Sequence, residues 1–261
     1  MKIAVLIKQV PVSDQVSVDP VTHALRRESS EGMVNPVDLN AVEMALLLRE
    51  AVGGTVTAVT MGPADARKAL EEVMARGCDD GVLVTDRCLA GGDTVATAKV
   101  LARTTEKCGG FDVILCGAQS SDGATGQVGA MTAEILSIPH AAEIQNLSAG
   151  ETEGTLKAVK KYKDELITLE CSLPALFTVS FGCNEPRLST LRSRRAAKAK
   201  PVAVYTNQEL QFLPEEVGLM GSPTKTVDTF EPSTAKKAVI FHGTGKELAE
   251  KLRELLEKGN E

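Results

Sequence analysis

Apolar runs of strand length alternate with helical patterns through the first half of the chain. The strand-like runs cover residues 2–8, 54–61, 81–85 and 111–116. The helix-like stretches between them cover residues 37–52, 64–76 and 93–107. Strands that alternate with helices form a parallel sheet whose two faces are covered by the helices. The pattern therefore predicts an α/β fold with a doubly wound, mostly parallel sheet.

The residues before two of these helices mark their starts. Asn35 is a good N-cap, Pro36 suits the first helical position, and Asp38 places a negative charge in the first turn. Pro63 opens the next helix in the same way. Asn35 and Asp38 therefore either cap the helix alone or face a ligand from its start.

The pattern changes between residues 140 and 182. Short β-rich segments, including residues 155–161 and 166–171, are separated by polar turns. This arrangement predicts antiparallel additions at the edge of the parallel sheet.

The C-terminal part of the chain predicts one helix with little core of its own. A helical pattern covers residues 245–258, and Thr244 precedes Glu247 by the spacing of a capping box. We expect residues 1–204 to form the α/β domain and residues 205–261 to form an arm that packs on another subunit.

Composition excludes several classes of function. The 261 residues carry a net charge of −6, which argues against a nucleic-acid binder. The chain has no Trp, two Tyr and six Phe, so the core is aliphatic and a stacking platform for bases is absent. No stretch has the length of a membrane helix, and the first residues read as a strand instead of a signal peptide. We expect a cytoplasmic protein without membrane insertion.

The reactive side chains show no catalytic or metal-binding spacing. The six Cys residues contain no Cys-x-x-Cys pair, so we expect neither a zinc site nor a disulfide framework. The three His residues are scattered, and no Ser/His/Asp set or carboxylate pair is apparent. Any chemistry that this chain performs is therefore expected to come from a cofactor.

Two glycine-rich loops each lead from a strand into a helix. Residues 90–98 read Ala-Gly-Gly-Asp-Thr-Val-Ala-Thr-Ala, and residues 116–130 begin Cys-Gly-Ala-Gln-Ser-Ser-Asp-Gly. Backbone amides at a helix start bind anions, and doubly wound sheets bind ligands beyond the carboxyl ends of their strands. The pair predicts a ligand with two anionic or polar parts, such as a nucleotide diphosphate. Tight turns with ordinary caps are the alternative.

The polar side chains of these loops divide into hydroxyls and acids. Thr94 and Thr97 can donate hydrogen bonds to phosphate. Asp93 and Asp122 would repel phosphate, so capping N–H groups, or holding a ribose or a loop, suits them better.

A basic segment interrupts this acidic protein. Residues 186–200 contain six basic residues and no acid, together with Leu188 and Leu191. The segment is either a solvated loop or a docking surface for an acidic partner, with the two leucines as apolar anchors.

The chain resembles the β subunit of electron-transfer flavoproteins over most of its length. The shared motifs are Lys8-Gln9-Val10-Pro11, Val34-Asn35-Pro36 with Asp38, Val59-Thr60-Met61-Gly62-Pro63, the stretch from Gly92 to Thr97, the stretch from Ile114 to Gly129, and Asn184-Glu185-Pro186-Arg187. The resemblance implies an adenine-nucleotide-binding α/β fold and a heterodimer with an α subunit that carries the electron-transferring FAD. The β subunit of respiratory-type members holds AMP, and that of electron-bifurcating members holds a second FAD.

Two stretches are more similar to the bifurcating branch. They are the helix start from Gly92 to Thr97 and the later Gly221-Ser222-Pro223-Thr224. The resemblance thus implies FAD as cofactor and electron uptake from NADH together with the α subunit. One electron would pass to an acyl-CoA dehydrogenase-like partner and the other to ferredoxin or flavodoxin. The alternative is an AMP-binding structural subunit of a non-bifurcating flavoprotein.

The resemblance also assigns residues to sites. The expected cofactor-binding residues are Leu6, Asn35, Asp38, Met61, Asp93, Thr94, Thr97, Asp122, Gly123, Thr125, Gly126, Gln127, Val128 and Gly129. Leu191, with Arg187 and Arg192, is expected to dock a partner dehydrogenase from the recognition loop, residues 184–200. No metal ligand is expected.

The chain departs from the bifurcating pattern in its second glycine-rich loop. Ala118 stands where those relatives have Arg, which removes a fixed positive charge near the flavin. Further departures are Ser120, Ser121, Ala124, Gly126, Leu166 and Phe177.

A third hypothesis is an ATP-using enzyme of the PP-loop type. It is disfavoured because the glycine motif of such enzymes follows the first strand, whereas Gly91-Gly92-Asp93 follows the third predicted strand of this chain.

Overall fold

The structure is a computed structural model that describes residues 1–12, 17–18, 25–26, 32–227 and 240–258. It divides into two compact units, Met1–Val227 and Asp228–Glu261. Residues 205–227, at the start of the expected arm, lie within the first unit. There Leu210, Phe212 and Val217 are buried in a cluster with Val84 and Leu89.

The described residues form thirteen strands and seven α-helices. The strands are β1 (Lys2–Leu6), β2 (Gln9–Pro11), β3 (Ser17–Val18), β4 (Leu25–Arg26), β5 (Gly32–Val34), β6 (Thr55–Met61), β7 (Asp80–Val84), β8 (Val113–Gly117), β9 (His140–Ala149), β10 (Thr155–Tyr162), β11 (Glu165–Ser172), β12 (Ala175–Val179) and β13 (Val202–Tyr205). The helices are α1 (Pro36–Val52), α2 (Arg67–Arg76), α3 (Thr94–Lys107), α4 (Val128–Leu136), α5 (Leu191–Ala199), α6 (Asn207–Leu210) and α7 (Gly245–Lys258).

Nine strands form the main sheet in the order β11-β10-β9-β12-β8-β1-β6-β7-β13. In this order, every pair of neighbouring strands from β9 through β12, β8, β1, β6 and β7 to β13 is parallel. Only β10 and β11, at one edge, pair in antiparallel fashion. This confirms the predicted α/β fold with a mostly parallel sheet.

The antiparallel region is smaller than the pattern of residues 140–182 indicated. Strand β12 lies inside the sheet and pairs in parallel with both β8 and β9. All five of its residues are buried, as expected for a parallel strand that is covered on both faces. Its continuously buried run, Ala-Leu-Phe-Thr-Val, distinguishes it from the alternating β10 and β11.

Strand β1 shows how the two faces are covered. Ile3 and Val5 are fully buried in a cluster that contains residues of α1 and α2. Ala4 and Leu6 point to the opposite face and pack in a cluster with residues of α3 and α4. The sheet is therefore doubly wound, as predicted.

Most helix starts and ends follow the sequence pattern closely, whereas α5 was not anticipated. Helix α5 occupies the basic segment, and Ala197 is its only buried residue. Helix α7 begins as expected: Thr244 donates from its backbone N and its Oγ1 to Glu247 Oε2, both at 2.8 Å. Of the helices in the described ranges, none has the length and apolar character to cross a bilayer.

Candidate functional site

The strand order places a topological switch point at the carboxyl ends of β1 and β8. From β1 the chain adds β6 and β7 on one side, and then β8 on the other side of β1. Ligands of open α/β sheets bind in the crevice at such a point. The loops that follow β1 and β8 flank this switch point. We call the loop that follows β8, residues 118–127, the β8 loop.

Helix α4 begins at the end of the β8 loop with an open amino terminus. Its N-cap residue, Gln127, has helical backbone angles and makes no capping hydrogen bond from its side chain. Gly123, Thr125, Gly126 and Gln127 are exposed, and the pattern leaves the first amides of the helix available to an anion.

Gly129 seats this helix start on the sheet. A Cβ at Gly129 would lie 2.6 Å from Thr178 Cγ2 and 2.8 Å from Cys116 Sγ. Residue 129 is in the first turn of α4, Cys116 is in β8, and Thr178 is in β12. The absence of a side chain therefore lets the amino end of α4 approach the carboxyl ends of both strands.

Lys8 links the loop after β1 to the β8 loop. Its Nζ lies 2.6 Å from Asp122 Oδ1 and 3.3 Å from Ser120 Oγ. The Asp122 side chain is only 5% exposed, so the pair holds a nearly buried acid. Asp122 therefore ties the β8 loop to the loop after β1.

Asn35 occupies the N-cap position of α1, as predicted, but its side chain holds the β8 loop instead of capping the helix. The structure shows no capping bond from it. Its Nδ2 donates to Gln119 O at 2.9 Å, and its Oδ1 accepts from Ser121 N at 3.1 Å. The amide of Asn35 thus satisfies both a carbonyl and an amide of one loop, which an ionised acid, being only an acceptor, could not do.

Asp38 ties the ends of β1 and β8 together. Its Oδ2 accepts from Lys8 N at 2.8 Å, and its Oδ1 accepts from Gly117 N at 3.0 Å. Burial raises the pKa of this carboxyl to about 7, although the hydrogen bonds from Lys8, Asn35 and Gly117 oppose the shift. Asn35 and Asp38 are both buried, so both side chains shape the β8 loop from beneath it.

Helix α3 begins differently, because Asp93 closes its amino terminus. Asp93 Oδ1 accepts from Val95 N and Ala96 N, both at 3.0 Å. Its Oδ2 accepts from Thr224 N at 2.9 Å, and its backbone N donates to Ser222 Oγ at 2.8 Å. Burial alone would raise the pKa of Asp93, but these amide donors lower it below its ordinary value.

Thr94 connects the two helix starts. Its Oγ1 donates to Gln127 Oε1 at 3.1 Å. Thr97 lies one turn further along α3 and is half-buried. Leu6 and Met61 end β1 and β6 at the same edge of the sheet, Leu6 buried and Met61 half-buried. The structure thus brings the expected cofactor-binding residues to one edge.

The expected docking residues lie in and before α5, apart from the cofactor-binding residues, and they differ from one another in their contacts. Leu191 and Arg192 begin α5 and are exposed. Arg187 instead turns towards α1, where its Nη2 lies 2.8 Å from Glu43 Oε1 and its Nη1 lies 2.6 Å from Glu50 Oε1.

Lys8 and Ser222 organise the site, although neither role was predicted from the sequence. Lys8 was visible only as part of a motif, because its partner is 114 positions away. Ser222 belongs to the Gly-Ser-Pro-Thr stretch, whose turn-like composition gave no indication of which helix start it contacts.

Comparisons with known proteins match the chain along nearly its whole length. The family model described as "Electron transfer flavoprotein domain" matches residues 22–210. The "Electron transfer flavoprotein subunit beta" of Thermoanaerobacterium thermosaccharolyticum is 42% identical over 98% of both chains. The "Acryloyl-CoA reductase electron transfer subunit gamma" of Anaerotignum propionicum is 38% identical over 97% of this chain and 96% of its own length.

A further relative is the "Caffeyl-CoA reductase-Etf complex subunit CarD" of Acetobacterium woodii. It is 33% identical over 94% of this chain and 93% of its own length. The family match covers well over half of the chain, and the relatives align with it almost end to end. The chain therefore belongs to the electron transfer flavoprotein family, as a beta subunit.

Proposed function

We propose that this chain binds FAD at the paired starts of α3 and α4 and bifurcates electrons together with an α subunit. The observation that carries the proposal is the junction of two unlike helix starts. Helix α4 offers open amides, α3 offers threonine hydroxyls, and the bond from Thr94 to Gln127 holds the two together. A ligand with two phosphate groups suits such a junction better than a ligand with one.

The residues fit FAD in the following way. The amides of Val128 and Gly129, with the open glycines of the β8 loop, would hold one phosphate. The hydroxyl of Thr97 would hold the second phosphate or the chain beyond it, and that of Thr94 would join it by turning its proton from Gln127 to the ligand. A Cβ at Gly123 would meet no atom closer than 3.4 Å, so the loop leaves room for a close ligand. FAD, when bound, supplies the redox chemistry, because it takes up two electrons and releases them singly.

The electrons would come from NADH, whose oxidation releases two electrons and one proton. One electron would leave through the FAD of the α subunit to an acyl-CoA dehydrogenase-like protein, and the other would reduce ferredoxin or flavodoxin. Two relatives are named as parts of acryloyl-CoA and caffeyl-CoA reductase systems, which supports a partner of this chemical class.

Two surfaces suit the proposed protein partners. The exposed Leu188 and Leu191, beside the basic helix α5, would dock the dehydrogenase. The described part of the C-terminal unit carries α7, an amphipathic helix whose leucines are exposed, at positions 248, 252, 255 and 256. Such a face suits packing on the α subunit.

The second candidate is a structural subunit that holds AMP. The cap on α3 favours it, because Asp93 occupies the amides that would otherwise receive a second phosphate. The open start of α4 alone is sufficient for a nucleoside monophosphate. The two candidates therefore share the α4 contacts and differ in whether the ligand reaches α3.

Nucleotide analysis of the complex tests this proposal. The chain would be purified with its α subunit, the complex denatured, and FAD and AMP quantified by chromatography. We expect about two FAD per heterodimer and no AMP, because FAD bound to each subunit is the source of the redox chemistry. One FAD with one AMP would contradict the proposal and establish the structural role.

A variant of α3 sharpens the result. Thr94→Val with Thr97→Val keeps the side-chain volume and removes both hydroxyls. If FAD reaches α3, the double variant loses FAD from the β subunit, whereas AMP bound at α4 would be retained. Thr168→Val, in the far edge strand β11, is the control for the exchange of threonine for valine.

A further inference from the structure

We propose that Arg187 is a positioning residue: it anchors the recognition loop so that Leu188 and Leu191 are presented in a fixed arrangement. The proposal rests on the docking role given above to this loop. Leu188 and Leu191 then make the docking contact, whereas Arg187 contacts only residues of its own chain.

The contacts of Arg187 are directed inward. Its Nε and Nη2 grip the Glu43 carboxylate at 2.9 and 2.8 Å, and its backbone N donates to Glu43 Oε2 at 2.9 Å. The Glu43 side chain is 8% exposed and that of Arg187 is 32% exposed, so the carboxylate end of this fork-to-carboxylate pair is shielded from water. Nη1 adds a bond of 2.6 Å to Glu50 on the next turns of α1.

Neighbouring groups hold the same end of the loop. Arg76, at the end of α2, donates from Nη1 to the carbonyl oxygen of Arg187 at 2.7 Å. Asn40 Nδ2 donates to Asn184 O at 2.8 Å, and Asn184 Nδ2 donates to Asn40 O at 3.0 Å. Residues 184 and 187 are thus fixed to α1 and α2 through both backbone and side chain.

The other end of the loop is anchored separately. Ala197 is buried among residues of the main core. Lys200 Nζ donates to Asp79 O at 3.0 Å and to Cys78 O at 3.3 Å. Between the two anchors, Thr190 and Ser193 form a capping box that sets the start of α5.

The residues between the anchors are strongly exposed. Leu188 is 85% exposed and Leu191 is 79% exposed, although both are large apolar side chains. An exposed apolar pair on a loop held at both ends is prearranged for binding, which reduces the ordering cost when a partner arrives. Arg187 directs its Nε, Nη1 and Nη2 to carboxylates of α1 instead.

The experiment compares binding with local order in the intact heterodimer. The probe is an acyl-CoA dehydrogenase that the wild-type heterodimer reduces, and its affinity is measured by titration. Order in residues 184–199 is measured by hydrogen exchange and by the rate of tryptic cleavage after the exposed arginines of α5. The variants are Arg187→Lys, which keeps the charge but loses the fork, and Glu43→Gln.

Two further variants serve as comparisons. Leu191→Ala removes an apolar contact without touching the anchors. Glu50→Gln weakens only the outer bond of Arg187, since the Glu50 side chain is 49% exposed, and it guards against a folding failure of the stronger variants. Nucleotide content of each heterodimer checks that the remainder of the fold is intact.

We expect Arg187→Lys and Glu43→Gln to raise exchange in residues 184–199 and to weaken docking by about three- to tenfold, because binding must then order the loop. Glu50→Gln should show a smaller change of the same kind, and Leu191→Ala should weaken docking with unchanged exchange. Weaker docking of Arg187→Lys without faster exchange would overturn the proposal in favour of direct contact. Faster exchange with unchanged docking would also overturn it. Unchanged docking of Leu191→Ala would instead show that the loop is not the docking surface.

Discussion

The starts of α3 and α4 come from similar sequences but offer different chemistry to a ligand. Both follow a glycine-containing loop at the carboxyl edge of the same sheet. At α3, Asp93 accepts from two amides of the first turn and adds its own negative charge. At α4, Gln127 leaves the first amides without a side-chain cap. A single residue before each helix therefore decides whether the helix start is closed or open to an anion.

Because the two helix starts differ in this way, glycine content alone does not identify a phosphate site. Glycines provide close approach and unusual backbone angles, but an acid at the N-cap occupies the amides that a phosphate would use. In the proposed function, α4 therefore holds the phosphate common to AMP and FAD. Helix α3 adds only the hydroxyls of Thr94 and Thr97, which a larger ligand can reach.

The largest expected effect concerns the acid beneath the β8 loop. The pKa of Asp38 is raised to about 7, above its value in the unfolded chain, so its stabilising contribution is full below pH 4 and is lost as pH rises through 7. The difference in unfolding free energy between wild type and Asp38→Asn should fall by about 4 kcal/mol across that range. Denaturant titrations at several pH values measure it, and a difference that is constant with pH would contradict the assignment.

Gly129→Ala should give the next largest effect. The added methyl group would press on Thr178 and Cys116 and lift the start of α4 from the sheet. We expect a loss of about 1–3 kcal/mol in unfolding free energy together with loss of the bound nucleotide. Gly245→Ala, at the start of α7, is the control, because its Cβ would meet no atom within 4 Å. Equal nucleotide loss in both variants would show that the seating of α4 is not the cause.

Lys8→Met tests whether the β8 loop must be held in place. The change removes the bonds from Lys8 Nζ to Asp122 and Ser120 and keeps most of the side-chain length. We expect the heterodimer to bind its nucleotide about tenfold more weakly, the effect of losing one charged hydrogen bond. Lys2→Met, at the opposite end of β1, should leave the affinity unchanged. Calorimetric titration of nucleotide-depleted heterodimer measures both.

Asp93→Ala tests the closed helix start and should have the smallest effect on stability. Removal of the cap should cost about 1 kcal/mol at neutral pH. Because amide donors lower the pKa of Asp93, its contribution is present above the unfolded-state pKa and disappears as pH falls through the folded-state pKa. The penalty of the variant should therefore vanish in acid. Nucleotide retention of the same variant is measured as well. Better retention would show that Asp93 limits anion binding at α3, and unchanged retention would show that Asp93 does not limit it.

Much of the fold could be predicted because its determinants are local. The alternation of strand and helix patterns identified β1, β6, β7 and β8 and the helices between them. Periodicity could not place β12 in the interior, since the pairing of a strand depends on residues far along the chain. It also missed α5, whose side chains are almost all exposed and so leave no apolar face.

The candidate site was predicted less completely for the same reason. The glycine-rich loops and their threonines are visible in the sequence, and the capping role of Asp93 followed from its charge. The pairs that fix the site and the recognition loop, Lys8 with Asp122 and Glu43 with Arg187, join positions more than 100 residues apart. A single sequence carries no signal that these side chains meet.

Hydrogen exchange of the heterodimer with and without its nucleotide shows most directly whether the open start of α4 holds the phosphate. Peptides that cover residues 122–131 report on α4, and peptides that cover residues 93–97 report on α3. We predict that removal of the nucleotide greatly increases exchange in residues 122–131 and changes residues 93–97 much less, because Asp93 caps those amides in either state. A large increase in exchange confined to residues 93–97 would show instead that the start of α3, and not that of α4, holds the phosphate.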